Sequence, residues 1–398
     1  MTERDRQQLD TLLSSVRAIE PVIRAHVEEA ERNRRLSQPV VAALKEAGVF
    51  RMYIPRTLGG FEVPPQVLYR VVEEVARIDG STGWGAFIGA VGASFGAFLP
   101  DAAAEEIFGA ASGIPIAGAL FPPGAANVCN GGYLVNGRWP YASGCHDSTW
   151  LVGGCLVFEN GEKRLVNGFP EMRIVYVPRN KGTIIEDSWQ VSGLAGTGSN
   201  DFTLEEVFVP EEYSHRLGPG MPRGKHFQSP LYTTYPLISA FAFPMGAVAL
   251  GIAQGAIDAV MELAQTKKPA GQSDTLRDRT VFHFQLADAV ALVESARAWL
   301  YASVEQVWEV AMTGRPATRE ERGRLVLAAA NATRSAAKAT DIAYTAAGGT
   351  ANYLRSPLQR SLRDIHALTQ HVATSPQQWE RGGRLLLGLD PLFPLMLL

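Results

Sequence analysis

The residues of this chain best suited to chemistry fall in three short runs. The first is Ala346 to Gln378, AAGGTANYLRSPLQRSLRDIHALTQHVATSPQQ. Ser356-Pro357-Leu358-Gln359 reads as a helix start, with Ser at the N-cap, Pro at the first helical position and Gln at the third. Ser375-Pro376-Gln377-Gln378 repeats that signal. A helix of about four turns from Pro357 towards Val372 therefore breaks, and another begins. His371 falls at the break, where an imidazole either faces a cleft and handles a proton or caps helix carbonyls. Arg360, Arg363 and Asp364 lie one turn apart on the same helix, a spacing for ion pairs.

The second run is Asn136 to Trp150, NGRWPYASGCHDSTW. Ser143, Gly144 and Cys145 place a hydroxyl and backbone N–H groups at the exit of a strand, either as a binding edge or as a plain turn. The third run is Trp189 to Phe202, WQVSGLAGTGSNDF. Its Gly193, Gly196 and Gly198 imitate a dinucleotide loop, which needs a strand before the glycines and a helix after them. Here the chain continues as strand through Phe208-Val209, so that reading fails. Thr197, Gly198 and Ser199 form either an anion-binding nest or a tight β-turn. Gly92-Ala93-Ser94-Phe95-Gly96 has the form of a hydrolase elbow, but nothing strand-like precedes it.

The elements that must carry these runs divide the 398 residues in three. Residues 1–113 read as a helical domain, with stripes such as Leu9, Leu12, Leu13, Val16, Ile19 and Ile23 at helical spacing. Pro21 should bend or restart the first helix. Val67 to Ile78 forms a helix closed by Asp79-Gly80-Ser81. Trp84 to Leu99 reads as one buried helix lining a cavity, with Trp84, Phe87 and Phe121 as candidate apolar pocket residues.

Residues 114–217 switch to strand period. Four Asn-Gly pairs, at 130, 136, 160 and 167, signal hairpins and an antiparallel β-domain. Residues 218–398 return to helical period, with long helices over Leu237–Leu263, Asp278–Met312, Arg319–Ala347 and Pro357–Val372. Short connections make these a four-helix bundle. The fold class is α+β, mainly α.

Composition excludes other classes. A net charge of −3, with no basic run interleaved with aromatics, argues against nucleic acid. The three cysteines, Cys129, Cys145 and Cys155, have no zinc spacing, so no metal site is expected. MTERDRQQLD is too polar for a signal peptide. Pro236 to Gln254 is uncharged and nearly long enough to span a bilayer, but Pro244 and its small residues suit a helix buried among helices. A reduced cytoplasmic protein with no membrane partner is expected.

The glycine pair Gly348-Gly349, the P-x-x-R of Pro357 to Arg360 and Arg363-Asp364 resemble the C-terminal signature of the acyl-CoA dehydrogenase superfamily. So does the Pro55 to Gly60 turn. Many of those dehydrogenases carry a catalytic glutamate two residues before the proline. This chain has Arg355 there, which cannot act as a base. The Ser-Gly-Cys version of the second run and the position of His371 resemble the flavin-dependent monooxygenase branch, the oxygenase components of two-component aromatic hydroxylases.

That resemblance implies an acyl-CoA dehydrogenase-like fold, reduced FMN or FAD as cofactor and O₂ as co-substrate. It also implies hydroxylation of a small aromatic substrate through a flavin C4a-hydroperoxide. No nicotinamide motif is present, so a separate NAD(P)H:flavin reductase is implied, as is a homotetramer. By the same resemblance His371 faces the flavin, Ser143 with Gly144 and Cys145 lies against its N5 edge, and Thr197, Gly198 and Ser199 run alongside. Arg277 and Arg279 lie roughly where the superfamily places an arginine serving a neighbouring subunit's flavin phosphate, although the usual R-x-x-F-G is broken by His283 after Phe282. Gln285 and the Gly348-Gly349 pair are further candidate flavin contacts. The alternative is an acyl-CoA dehydrogenase with a displaced base, yet no glutamate occurs between Glu262 and Glu294, leaving only Asp274 or Asp278.

Overall fold

Helix α1, Glu3–Asn33, begins at a capping box in which Thr2 and Asp5 satisfy each other's backbone N–H groups. It runs unbroken through Pro21, because Leu9, Leu12, Val16, Ile23 and Val27 bury one continuous stripe on both sides of the proline. The computed structural model describes residues 1–109, 114–217, 221–236 and 243–390. Helices α2 (Gln38–Glu46), α3 (Pro65–Ile78), α4 (Gly80–Val91) and α5 (Asp101–Phe108) complete the N-terminal set. Asp79 closes α3, its backbone N–H donating to Val75 O, and also opens α4. Its Oδ2 accepts from the backbone N–H and the hydroxyl of Thr82, both at 2.8 Å. The helix expected over Trp84–Leu99 changes at Gly92 into a 3₁₀ segment, Gly92–Phe98. The hydrolase-like glycines therefore sit in a helical turn with no strand ahead of them.

The strands are β1 (Ile114–Cys129), β2 (Gly132–Trp139), β3 (Ser148–Glu159), β4 (Glu162–Lys163), β5 (Leu165–Val166), β6 (Phe169–Pro170), β7 (Met172–Pro178), β8 (Thr183–Ile185), β9 (Asp201–Pro210) and β10 (Ser214–Arg216). The main sheet has the order β10-β7-β3-β1-β2-β9-β8, with β4 beside β3. Asn130-Gly131, Asn160-Gly161 and Asn167-Gly168 make the expected hairpin turns. Asn136-Gly137 instead lies inside β2. A Cβ on Gly137 would meet the Trp139 indole at 2.6 Å, and Gly124 and Gly153 are pressed against the same buried ring.

One pairing departs from the antiparallel expectation: β1 and β3 are parallel, with Ile114 opposite Ser148. Hairpin signals report only strands joined by a tight turn. Between β2 and β3 the chain instead crosses beneath the start of β1 through residues 140–147. It passes so close that a Cβ on Gly144 would lie 2.8 Å from Ile114 Cδ1. That crossover is the Ser143 run.

The C-terminal helices are α6 (Pro230–Thr233), α7 (Met245–Ala264), α8 (Thr280–Met312), α9 (Arg319–Ala347), α10 (Pro357–Thr369) and α11 (Gln377–Leu386). The expected helix start at Leu237 lies outside the described residues. Helix α9 packs on α7, α8, α10 and α11. Among the described residues α7 alone is long and apolar enough to cross a membrane. It lies instead against α3, with so little space that Cβ atoms on Gly251 and Gly255 would fall 2.3 and 2.4 Å from the carbonyl oxygens of Glu73 and Arg77. Gly348 closes α9 with φ +55. Ser356 makes no side-chain cap at α10. Gln359 instead donates back to the carbonyls of Leu354 and Ser356.

Candidate active site

Three elements meet at the indole of Trp84. Helix α4 supplies Trp84, whose Nε1 donates to Ser143 Oγ at 2.9 Å. The crossover loop supplies Ser143, and the loop before β9 supplies Ser199, whose hydroxyl lies 2.7 Å from that of Ser143. The end of α10 supplies His371, whose ring packs edge-on to Trp84 with centroids 5.6 Å apart. Phe87 backs the indole at 5.5 Å and is fully buried.

The two loops are tied by their backbones. Gly144 N–H donates to Thr197 O, and Ala142 N–H donates to Asn200 O. The Cys145 thiol rests 3.5 Å from Gly198 O, and burial pushes it up to about 12. It is a packing group and not a nucleophile. Gly198 takes φ +57, and Arg35 and His146 leave little room for a Cβ there. Among the described residues, the buried N–H groups of Gly198 and Ser199 donate to no acceptor.

The Nδ1 of His371 accepts from the backbone N–H of Ala373 at 3.1 Å, so the ring's proton sits on Nε2. Burial pushes its pKa down to about 4, outweighing the pull of the helix C-terminus on the charged form. The ring is neutral at ordinary pH. Nε2 meets no acceptor among the described residues, so it is a free donor.

The ion pairs expected within α10 do not form there. Arg360 faces Asp79 at 3.5 Å, and Arg363 pairs with Glu31 and donates to Ser192 O. Asp364 Oδ1 accepts from the backbone N–H of Leu194 at 2.6 Å. Gly193 touches α10 directly, since a Cβ there would lie 2.0 Å from Arg363 O. The helix therefore clips the third run against the second. Helical spacing alone could not show this, because every partner lies far away in the chain.

Other candidates lie elsewhere. Phe121 is 49 % exposed, in the stretch of β1 where the register with β3 shifts, whereas Trp84 is buried. Arg279 precedes α8 and donates to Gln272, with Gln285 half-buried further along that helix. The Gly348-Gly349 pair and the first turn of α10 sit at that same end of the bundle, around Phe282, Ala347 and Leu358. The length of α10, about 20 Å, separates them from His371. Arg355 is exposed and stacks on Tyr353.

A buried Ser143 oxygen, two buried N–H donors and an aromatic wall suit a flat heteroaromatic ring with donors and acceptors on its edge. Residues 7–105 and 244–376 match the family models "Acyl-CoA dehydrogenase, N-terminal domain" and "Acyl-CoA dehydrogenase, C-terminal domain". The chain is 33 % identical to an indole-3-acetate monooxygenase of Pseudomonas putida, over 93 % of this chain and 92 % of that protein. The chain belongs to the flavin-dependent monooxygenase branch of the acyl-CoA dehydrogenase superfamily.

Solved structures of similar proteins agree. A 3-HSA hydroxylase from Rhodococcus sp. RHA1 superposes with a TM-score of 0.86 at 30 % identity, covering 96 % of this chain and 98 % of that one. XiaF from Streptomyces sp., in complex with FADH2 and glycerol, gives 0.88 at 25 % identity, covering 98 % of each chain. This chain is thus the oxygenase component of a flavin-dependent monooxygenase, with reduced flavin as cofactor and O₂ as co-substrate.

Proposed function

We propose that the face made by Trp84, Ser143, Ser199 and His371 holds the flavin ring, and that a small aromatic substrate lies between that ring and His371. The observation that carries this is the single free Nε2–H of His371, packed against the same indole that binds Ser143. The reduced flavin, when bound, supplies the two electrons that activate O₂.

The chain's own groups do the rest. Ser143 Oγ holds a proton at the ring edge, and the Gly198 and Ser199 N–H groups bind ring carbonyl oxygens. Trp84 and Phe87 keep water from that edge. His371 would donate a hydrogen bond from Nε2 to an oxygen of the substrate. Being already protonated there, it is not a base in its neutral form.

The division into 1–113, 114–217 and 218–398 is proposed with this reading, as are a cytoplasmic location and a separate NAD(P)H:flavin reductase. An assembly of four copies would cover Val281, Phe284, Val290 and Trp299, all exposed along α8. It would also bring Arg279, Gln285 and Gly348-Gly349 to a neighbour's flavin. The dehydrogenase alternative finds no support. Arg355 lies on the surface, and Asp278 is exposed with Thr275 donating to its carboxylate.

The test supplies chemically reduced FMN or FAD and oxygen, without any reductase, to the protein with a panel of phenols and indoles. Formation of an oxygenated product supports the proposal. Desaturation of an acyl-CoA with an electron acceptor, and no oxygenation, would overturn it.

A further inference from the structure

The hydroxyls beside Trp84 form a chain whose direction is fixed at both ends. At one end the indole N–H of Trp84 can only donate, and it donates to Ser143 Oγ at 2.9 Å. At the other end the carbonyl of Leu194 can only accept, and it takes the Thr197 hydroxyl proton at 2.8 Å. Thr197 and Ser199 lie 2.7 Å apart, as do Ser199 and Ser143.

A hydroxyl has one proton and two lone pairs. Since the proton of Thr197 is used on Leu194, Ser199 must donate to Thr197. Ser143 must then donate to Ser199. Every proton in the relay points away from Ser143, whose oxygen keeps one lone pair open and no proton to give.

We infer that Thr197 and Ser199, acting through Ser143, make this site select reduced over oxidised flavin. The inference rests on the flavin reading above. Reduced flavin carries a hydrogen at N5 and donates; oxidised flavin has a bare N5 that accepts. A Ser143 oxygen locked as an acceptor matches the first, and against the second it sets its one open lone pair on the lone pair of N5. Turning the relay round would leave the Thr197 hydroxyl and Leu194 carbonyl oxygens 2.8 Å apart with no proton between them.

Leu194 cannot swing away to relieve that contact. Its N–H is bound to Asp364, and its backbone is held at φ +53. Thr197 and Ser199 are therefore positioning residues. Neither hydroxyl needs to touch the flavin for the sequence of donors to decide which oxidation state fits.

The test is the ratio of dissociation constants for oxidised and reduced flavin, measured anaerobically by flavin absorbance and fluorescence. Four proteins are compared: wild type, Thr197→Val, Thr197→Ser and Ser199→Ala. Wild type should hold the reduced form more tightly. Thr197→Val removes the last donor without changing shape, and the preference should fall on the order of tenfold, the value of one misdirected buried hydrogen bond. Thr197→Ser should restore it.

Ser199→Ala cuts the same relay beside Ser143 and should lower the preference if the valine variant does not fold. A wild-type ratio retained in both Thr197→Val and Ser199→Ala would overturn the inference. Failure of wild type to bind either form would instead remove the flavin reading, and this inference with it.

Discussion

His371 is half-buried and packed against Trp84, and loss of hydration disfavours its charged form; its tautomer is fixed because Ala373 donates to Nδ1. A folded-state pKa pushed down to about 4 means the ring charges only as pH falls through that value. Product yield per flavin oxidised should therefore stay flat from pH 6 to 8 in wild type, as far as this residue governs it. His371→Ala should fold normally but release hydrogen peroxide in place of most product, a loss of roughly tenfold or more in coupling. Peroxide and product assays over that pH range check both statements. Unchanged coupling in the alanine variant would remove His371 from the chemistry.

At this scale the family resemblance, added to residue type, picked out Ser143, the Thr197–Ser199 run and His371, and the structure brings Ser143, Ser199 and His371 round Trp84. The bond from the Trp84 indole to Ser143 was not legible, because a tryptophan in an apolar helix looks like any core residue. Nor was the exposure of Phe121 legible: an apolar strand residue reads as buried, and this one lies in the stretch where the β1 register shifts.

Among the elements, the contact between α10 and the loop at 192–194 organises the site. It consists of the Asp364 bond to Leu194, the Arg363 bond to Ser192 and the bare backbone of Gly193. Gly193→Ala places a Cβ 2.0 Å from a helix carbonyl, so the loop must lift off. Thermal unfolding should show a loss on the order of 2–4 kcal/mol, and flavin affinity should fall with it. An unaltered affinity would show that the clip does not position the loop.

Asp364 adds a pH signature. Burial first, and the neighbouring Asp79 second, push its carboxyl up to about 7. A folded-state value raised above the unfolded one stabilises the fold below about pH 4, and that contribution is lost as pH rises through 7. Asp364→Asn keeps an acceptor for Leu194 and removes the titration. Relative to wild type it should gain stability between pH 4 and 8, on the order of 1–2 kcal/mol at the upper end. Parallel stability curves for the two proteins would contradict this.

Helix positions were largely legible, since amphipathic stripes and the Thr318 capping box are local signals. The parallel β1–β3 pair and the partners of Arg360, Arg363 and Asp364 were not. Each depends on chain segments meeting from far apart, which local periodicity does not encode.

For the molecule as a whole, two observations point outward. The exposed apolar side chains along α8 need covering, and Arg279, Gln285 and Gly348-Gly349 lie with the cluster round Phe282, Ala347 and Leu358, at the end of α10 opposite His371, a helix about 20 Å long. Both are accounted for if neighbouring copies complete each other's sites. Sedimentation should then give a tetramer, and Phe284→Glu should break it into smaller species with weaker flavin binding. A stable wild-type monomer that binds flavin fully would contradict the shared site.

All of this turns on where the flavin ring lies. The most direct measurement is a crystal structure of the protein with reduced flavin bound. The expected result is N5 within hydrogen-bond distance of Ser143 Oγ, with the His371 ring across a substrate-sized gap. A flavin bound elsewhere, or with Ser143 and His371 both out of reach, would contradict the account.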